Sequence, residues 1–267
     1  MHEKLKTQLT ELRLHGMERV LQAEIERTER EGTSGLELFG RLLTEEAAYR
    51  REKSLAYRLR DAQLPWPWTL QSFPFARQPG LNPAHIHTLA GLDFVRRNEN
   101  LLLIGPTGVG KSGIAIGLLR EACLNGYRGC FYNAQALLDE LYTSLADRST
   151  ARLITRLSRM SPLVVDEIGY MTMRTEQANA FFRLMEQRYN RVSTIITTNL
   201  EPQSDWHSLF QNKSLVDALL DRLQHHCITI RINGPSLRTQ QSGSESDAAE
   251  DKTAHKKKSG AGPRTTR

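Results

Sequence analysis

The chain has 267 residues, of which 39% are hydrophobic and 25% charged, ordinary proportions for one or two folded cores. Lys and Arg outnumber Asp and Glu by 36 to 30, and residues 235–267 supply half of the +6 excess, so bulk charge does not by itself mark a nucleic-acid protein. No apolar run reaches the ~20 residues of a membrane span, the charged start Met1–Lys6 lacks a signal-peptide core, and Cys123, Cys130 and Cys227 form no C-x-x-C pair, which argues for a cytoplasmic chain without a disulfide framework or cysteine zinc site.

Residues 1–62 lack proline, and Leu5, Leu9, Leu12, Val20, Leu21, Leu38, Leu42, Leu43, Leu55 and Leu59 fall at helical spacings. They predict a small helical domain, broken near Gly32–Gly35, with Ser34 capping the next helix. Arg50, Arg51, Lys53, Arg58 and Arg60 give it a local basic bias, suited to DNA, although composition alone fits a generic amphipathic bundle or a docking surface equally well. Residues 63–83 hold five prolines among Trp66, Trp68, Phe73 and Phe75, which predicts an ordered linker packed on the next domain.

Residues 84–239 alternate apolar strands with amphipathic helices. The strand candidates are Leu101–Ile104, Gly129–Tyr132, Leu163–Val165, Thr194–Thr198 and Ile228–Ile232, an α/β pattern with a mainly parallel central sheet. Within it, Arg148, Arg152, Arg156 and Arg159 step by four, four and three, one face of a helix that either tracks DNA phosphates or is simply solvated. Residues 240–267 are polar, include Lys256-Lys257-Lys258, and predict a disordered basic tail.

The most specific signal is Gly105-Pro106-Thr107-Gly108-Val109-Gly110-Lys111-Ser112, between an apolar strand and a helix. Glycines let the backbone curl so that its N–H groups face phosphate oxygens, and the helix N-terminus adds partial positive charge. This predicts a nucleoside triphosphate, ATP, with Lys111 on the β- and γ-phosphates and Ser112 on Mg²⁺. Leu163-Val164-Val165-Asp166-Glu167 ends a second strand in two acids, Asp166 for the metal and Glu167 to activate water. A third strand ends in Asn199, on the side of the sheet where open α/β folds bind ligands.

In this order and spacing the three pieces resemble the Walker A, Walker B and sensor 1 motifs of AAA+ ATPases. Leu12–Met17, Arg58–Leu64, Asp166-Glu167-Ile168-Gly169-Tyr170, Arg188-Tyr189 and Asp221-Arg222-Leu223-Gln224-His225-His226 narrow the likeness to the IstB-like transposition helpers, related to DnaC-type helicase loaders. The resemblance spans roughly residues 5–240. It implies an AAA+ domain without a full helical lid, ATP and Mg²⁺ as cofactors, and assembly of copies into a ring or spiral on duplex DNA beside a transposase. It also implies that Arg222 reaches the nucleotide of the neighbouring copy, so that an isolated copy is a weak ATPase. Read from its own helix, Arg222 has a plainer alternative, an ion pair with Asp217 or Asp221. The chain departs from the family at Ser236-Leu237-Arg238, where Ser-Tyr-Arg is usual, and at Lys111-Ser112, where Lys-Thr is common. Two other functions fit the same site: a replicative-helicase loader, or a scaffold that binds ATP on DNA without hydrolysing it.

Overall fold

A computed structural model describes residues 2–169, 173–209 and 213–238. The basic tail and Tyr170 lie outside the described residues. Three helices come first, α1 (His2–Glu11), α2 (His15–Glu31) and α3 (Gly35–Asp61), followed by a 3₁₀ turn at Phe75–Arg77, α4 (Pro83–Ala90) and α5 (Asp93–Arg96). Then come β1 (Asn100–Ile104), α6 (Lys111–Leu124), β2 (Cys130–Asn133), α7 (Ala134–Ala146), α8 (Thr150–Leu157), β3 (Leu163–Ile168) and α9 (Thr175–Arg188). The chain continues through β4 (Thr194–Thr198), α10 (Pro202–Leu209), α11 (Lys213–His225) and β5 (Cys227–Arg231). Among the described residues no helix follows β5, and none is long and apolar enough to cross a membrane.

The N-terminal helices close on a small cluster of Met17, Leu21 and Leu42. Gly16 permits the contact, because a Cβ there would lie 2.6 Å from the Glu46 Cα on α3. The first turn of α2 has no cap from its own chain segment. Glu46 caps it from α3, accepting the N–H groups of Gly16 at 2.7 Å and Met17 at 3.2 Å, and pairs with Arg50 at 2.6 Å. Burial works against the Glu46 charge, but the Arg50 hydrogen bond and the Met17 and Gly16 N–H groups outweigh it and hold its pKa below the usual value. Ser34 caps α3 as expected, in a reciprocal box with Glu37.

The five strands are all parallel, in the order β2-β3-β4-β1-β5. Alternate side chains feed two layers. Leu102, Ile104, Val165 and Ile196 pack with α7 to α11, while Leu101, Leu103, Val164 and Ile195 pack with α4, α5 and α6. Leu70, Phe73 and Leu81 join the second layer, so residues 63–83 lie against the sheet domain. Arg188 is fully buried at the end of α9, donating to the carbonyls of Leu157, Met160 and Ser193 and to the Thr194 hydroxyl. Burial pushes its pKa down to about 9.

Three sequence expectations change. Strand β3 runs on to Ile168, beyond the expected end at Val165, through a register shift between Val165 and Ile168. The arginine stripe does not form on one helix. The Asp147 carboxylate accepts the Ser149 N–H at 2.9 Å in a turn where Arg148 has φ +58°, so α8 starts only at Thr150 and ends before Arg159. Arg156 is engaged at 2.8 Å with Glu140 and 2.9 Å with the Tyr132 hydroxyl, leaving Arg152 as the other exposed arginine on α8. In the basic stretch of α3, Arg58 packs rather than projects, donating to the Cys123 carbonyl at 2.8 Å.

Gly16→Ala is expected to cost about 1–3 kcal/mol by forcing α2 off the α3 backbone, read as a lower urea midpoint; an unchanged midpoint contradicts the packing. Because the Glu46 pKa is depressed, its contribution to stability is full above the ordinary carboxylate range and is lost as pH falls through its lowered value. Glu46→Ala is therefore expected to destabilise at neutral pH and to flatten the acid end of the stability profile, measured by urea unfolding across pH.

Candidate nucleotide site

The loop between β1 and α6 is anchored at both ends. The Gly105 N–H donates to the Thr198 carbonyl at 3.1 Å, tying the loop to β4, and Val109 is completely buried. Gly108 and Gly110 take φ of +85° and +99°, the left-handed values that turn consecutive N–H groups inward at the start of α6. Lys111 is buried and folds back over the loop, its Nζ donating to the Gly105 carbonyl at 2.7 Å and the Pro106 carbonyl at 2.8 Å. Burial pulls its pKa below the usual lysine value, against the pull of the Asp166 and Glu167 charges.

Asp166 is buried at the carboxyl end of β3. Burial raises its pKa, opposed by hydrogen bonds from the Thr197 and Ser112 hydroxyls, the former at 2.6 Å. Glu167 sits at the register shift with φ +65°, a backbone state that non-glycine residues rarely adopt. It is held there from two sides: its N–H donates to Thr197 Oγ1 at 2.8 Å, and its Oε2 accepts from Asn133 Nδ2 at 3.3 Å. Thr197 thus joins the two acids through one hydroxyl. Asn199 follows β4 and lies against Gly169, where a Cβ would come 2.7 Å from Asn199 Oδ1.

These groups face one cavity of about 420 Å³, lined by Thr107, Gly108, Gly110, Lys111, Ser112, Glu167 and Asn199. Trp66, Trp68, Pro74, Arg77, Leu237 and Arg238 complete its lining, an apolar and basic set. Aromatic faces beside a phosphate loop suit a stacked base.

Arg222 is not part of this cavity. Its guanidinium lies over the Phe182 ring at 5.0 Å and 3.7 Å from Glu186, near Asn100 and Thr194 at the opposite edge of the sheet. The ion pair is with α9, not with Asp217 or Asp221 on its own helix. The sequence reading missed Asn133 and Thr197. Asn133 carries the same signal as Asn199, a polar residue ending an apolar strand, and that logic applied to β2 finds it. Thr197 gives no such signal, since a threonine inside a strand is ordinary.

A parallel sheet in this order, with the phosphate loop after its β1 strand and an acid pair near the carboxyl end of β3, defines an AAA+ phosphate-loop protein. Solved structures share the fold: the DnaI structure at TM-score 0.54 (19% identity, 62% of this chain and 91% of that one) and the DnaC helicase loader at 0.50 (22%, 62% and 97%). The chain belongs to the IstB-like ATP binding protein family, whose pattern it matches over residues 7–245. Its relatives include the ATP-binding protein of insertion sequence IS21 from Pseudomonas aeruginosa, 36% identical over 90% of each chain. An insertion-sequence ATP-binding protein of Sinorhizobium fredii is 34% identical over 87% of this chain and 95% of its own length.

Thr197→Val removes the hydroxyl that serves both acids while keeping the side-chain shape. It leaves the buried Asp166 carboxylate and the Glu167 N–H each short of that partner. It is expected to cost about 1–3 kcal/mol of stability, read as a lower melting temperature, and to weaken magnesium-dependent ATP binding at least about tenfold. Binding equal to wild type contradicts the contacts made through the Thr197 hydroxyl.

Proposed function

We propose that this chain binds and hydrolyses magnesium-ATP, and that ATP binding assembles copies of it on duplex DNA in the service of a transposase. The observation that carries the reading is the convergence of Lys111, Ser112, Glu167 and Asn199 on one cavity at the carboxyl edge of a parallel sheet, with Asp166 buried behind it and hydrogen-bonded to Ser112. The N–H groups of Gly108, Val109 and Gly110 cradle phosphate oxygens, and Lys111 exchanges the carbonyls of Gly105 and Pro106 for the β- and γ-phosphates. The Ser112 hydroxyl and the Asp166 carboxylate are an all-oxygen donor pair that fits Mg²⁺. When bound, the metal neutralises charge on the phosphates.

Glu167 is the general base. A water oxygen attacks the γ-phosphorus, the bond to the β–γ bridging oxygen breaks, and the water proton passes to the carboxylate. Asn133 holds that carboxylate and Asn199 holds the water or a γ-oxygen. Arg222, remote from its own cavity, stabilises the transition state in the neighbouring copy, a contribution on the order of 10³–10⁵ in rate for an arginine supplied this way.

Insertion-sequence relatives at 36% and 34% identity support a transposase over a replicative helicase as the client. The exposed Arg51, Lys53, Arg60, Arg148, Arg152 and Arg159 are DNA-contact candidates; Arg50 and Arg156, each in an ion pair, rank below them. Domain limits at residues 1–62, 63–83, 84–239 and 240–267 and a cytoplasmic setting complete the reading.

Phosphate release with duplex DNA tests it. Glu167→Gln is expected to lose about 100-fold in turnover with ATP affinity within about threefold of wild type. Mixing Lys111→Ala with Arg222→Ala is expected to restore turnover that neither has alone, because one supplies the arginine and the other the nucleotide. DNA-bound wild type without turnover overturns hydrolysis and leaves a scaffold; a mixture that stays inactive overturns the shared site.

A further inference from the structure

Beyond β5 the described chain turns back along the phosphate loop. Residues 232–238 run outside the loop, with the Ile232 N–H donating to the Ile104 carbonyl and the Leu237 N–H to the Gly108 carbonyl, both at 2.8 Å. The loop glycines are packed against this strap. A Cβ on Gly105 would lie 2.4 Å from the Ile232 carbonyl, and one on Gly108 would lie 2.2 Å from Ser236 Oγ. The glycines that let the loop curl around phosphate therefore also let the strap lie on it.

The strap's other side rests on the linker. Arg77 Nη2 donates to the Leu237 carbonyl at 3.3 Å. The next residue, Gln78, is fully buried, and its amide nitrogen donates to the Val109 carbonyl at 3.0 Å and the Pro235 carbonyl at 3.2 Å. Gly234 makes room for it, since a Cβ there would lie 1.6 Å from Gln78 Oε1. That oxygen is buried with no hydrogen-bond partner. A buried amide with an unpartnered oxygen costs more than an apolar side chain of equal size, so the return on Gln78 lies in what its nitrogen joins. It joins the phosphate loop to the strap, and the strap carries Arg238 at the wall of the cavity.

We propose that Gln78 is a positioning residue that fixes the phosphate loop and Arg238 as one unit, so that closure of the loop on phosphate carries Arg238 to the nucleotide. This rests on the nucleotide site proposed above. The residue touches no substrate; it acts through Val109 and the strap.

The test is a double-mutant cycle on the full chain, with binding of a fluorescent methylanthraniloyl-ADP as the readout. Arg238→Ala is expected to weaken binding about tenfold in the wild-type background and less than about twofold in Gln78→Met. Multiplicative effects overturn the proposal and leave Gln78 a packing residue, and so does an Arg238→Ala change without effect in the wild-type background. If Gln78→Met fails a folding check by circular dichroism, hydrogen exchange on the wild-type chain decides. ADP is then expected to slow exchange at the backbone amides of residues 108–110 and 236–238 together, and a strap indifferent to ADP overturns the coupling. A wild-type chain that binds no nucleotide overturns both readings; one that binds, with independent substitutions, overturns this one alone.

Discussion

Every strand of the sheet runs the same way, and most of the molecule's chemistry follows from that constraint. Registers such as Asn133 beside Asp166 and Ile104 beside Thr198 bring Asn133, the acid pair, Asn199 and the phosphate loop to one edge. The opposite edge, where Asn100 and Thr194 begin their strands, holds Arg188 in the core and Arg222 near the surface. One copy thus offers a nucleotide cavity at one edge and an arginine at the other. That polarity is what an arrangement of successive copies needs if each is to complete the site of the next.

At the floor of the cavity, a buried lysine and a buried aspartate support each other. Burial disfavours the charged forms of both Lys111 and Asp166, and each offsets the other's penalty. Asp166 is further held by two hydroxyls, and Lys111 by two carbonyls of its own loop. Phosphate oxygens compete with those carbonyls by offering full negative charge, and charge-assisted hydrogen bonds are roughly twice as strong as neutral ones. Exchange of these partners gives the loop a reason to move on binding. Its glycines pack directly against residues 232–238, so a shift of the loop would press on that segment.

The sequence carried the parts of the site that depend on local pattern. The phosphate loop lies between a strand and a helix, and the acid pair lies on the strand that leads to the site, because both signals are contained in a dozen neighbouring residues. What it did not carry depends on distant partners. Arg156 reads as a free cation until α8 is packed on α7 and meets Glu140. Arg58 reads as part of a basic face until α3 reaches the end of α6. Gln78 reads as a linker residue, since the carbonyls that explain it lie 31 and 157 positions away. The extension of β3 through Glu167 was hidden for another reason: a register shift with a left-handed residue at its centre has no signature in residue type when that residue is not glycine.

The central claim is that ATP is the signal for assembly on DNA, with the site finished by a neighbouring copy. Particle imaging of the full chain with duplex DNA, in ATP and in ADP, tests it most directly. The account requires rings or spirals on DNA in ATP, with density for one copy's Arg222 at the next copy's cavity, and their loss in ADP. Single copies in both nucleotides, or assemblies whose contacts leave Arg222 away from every cavity, would contradict it.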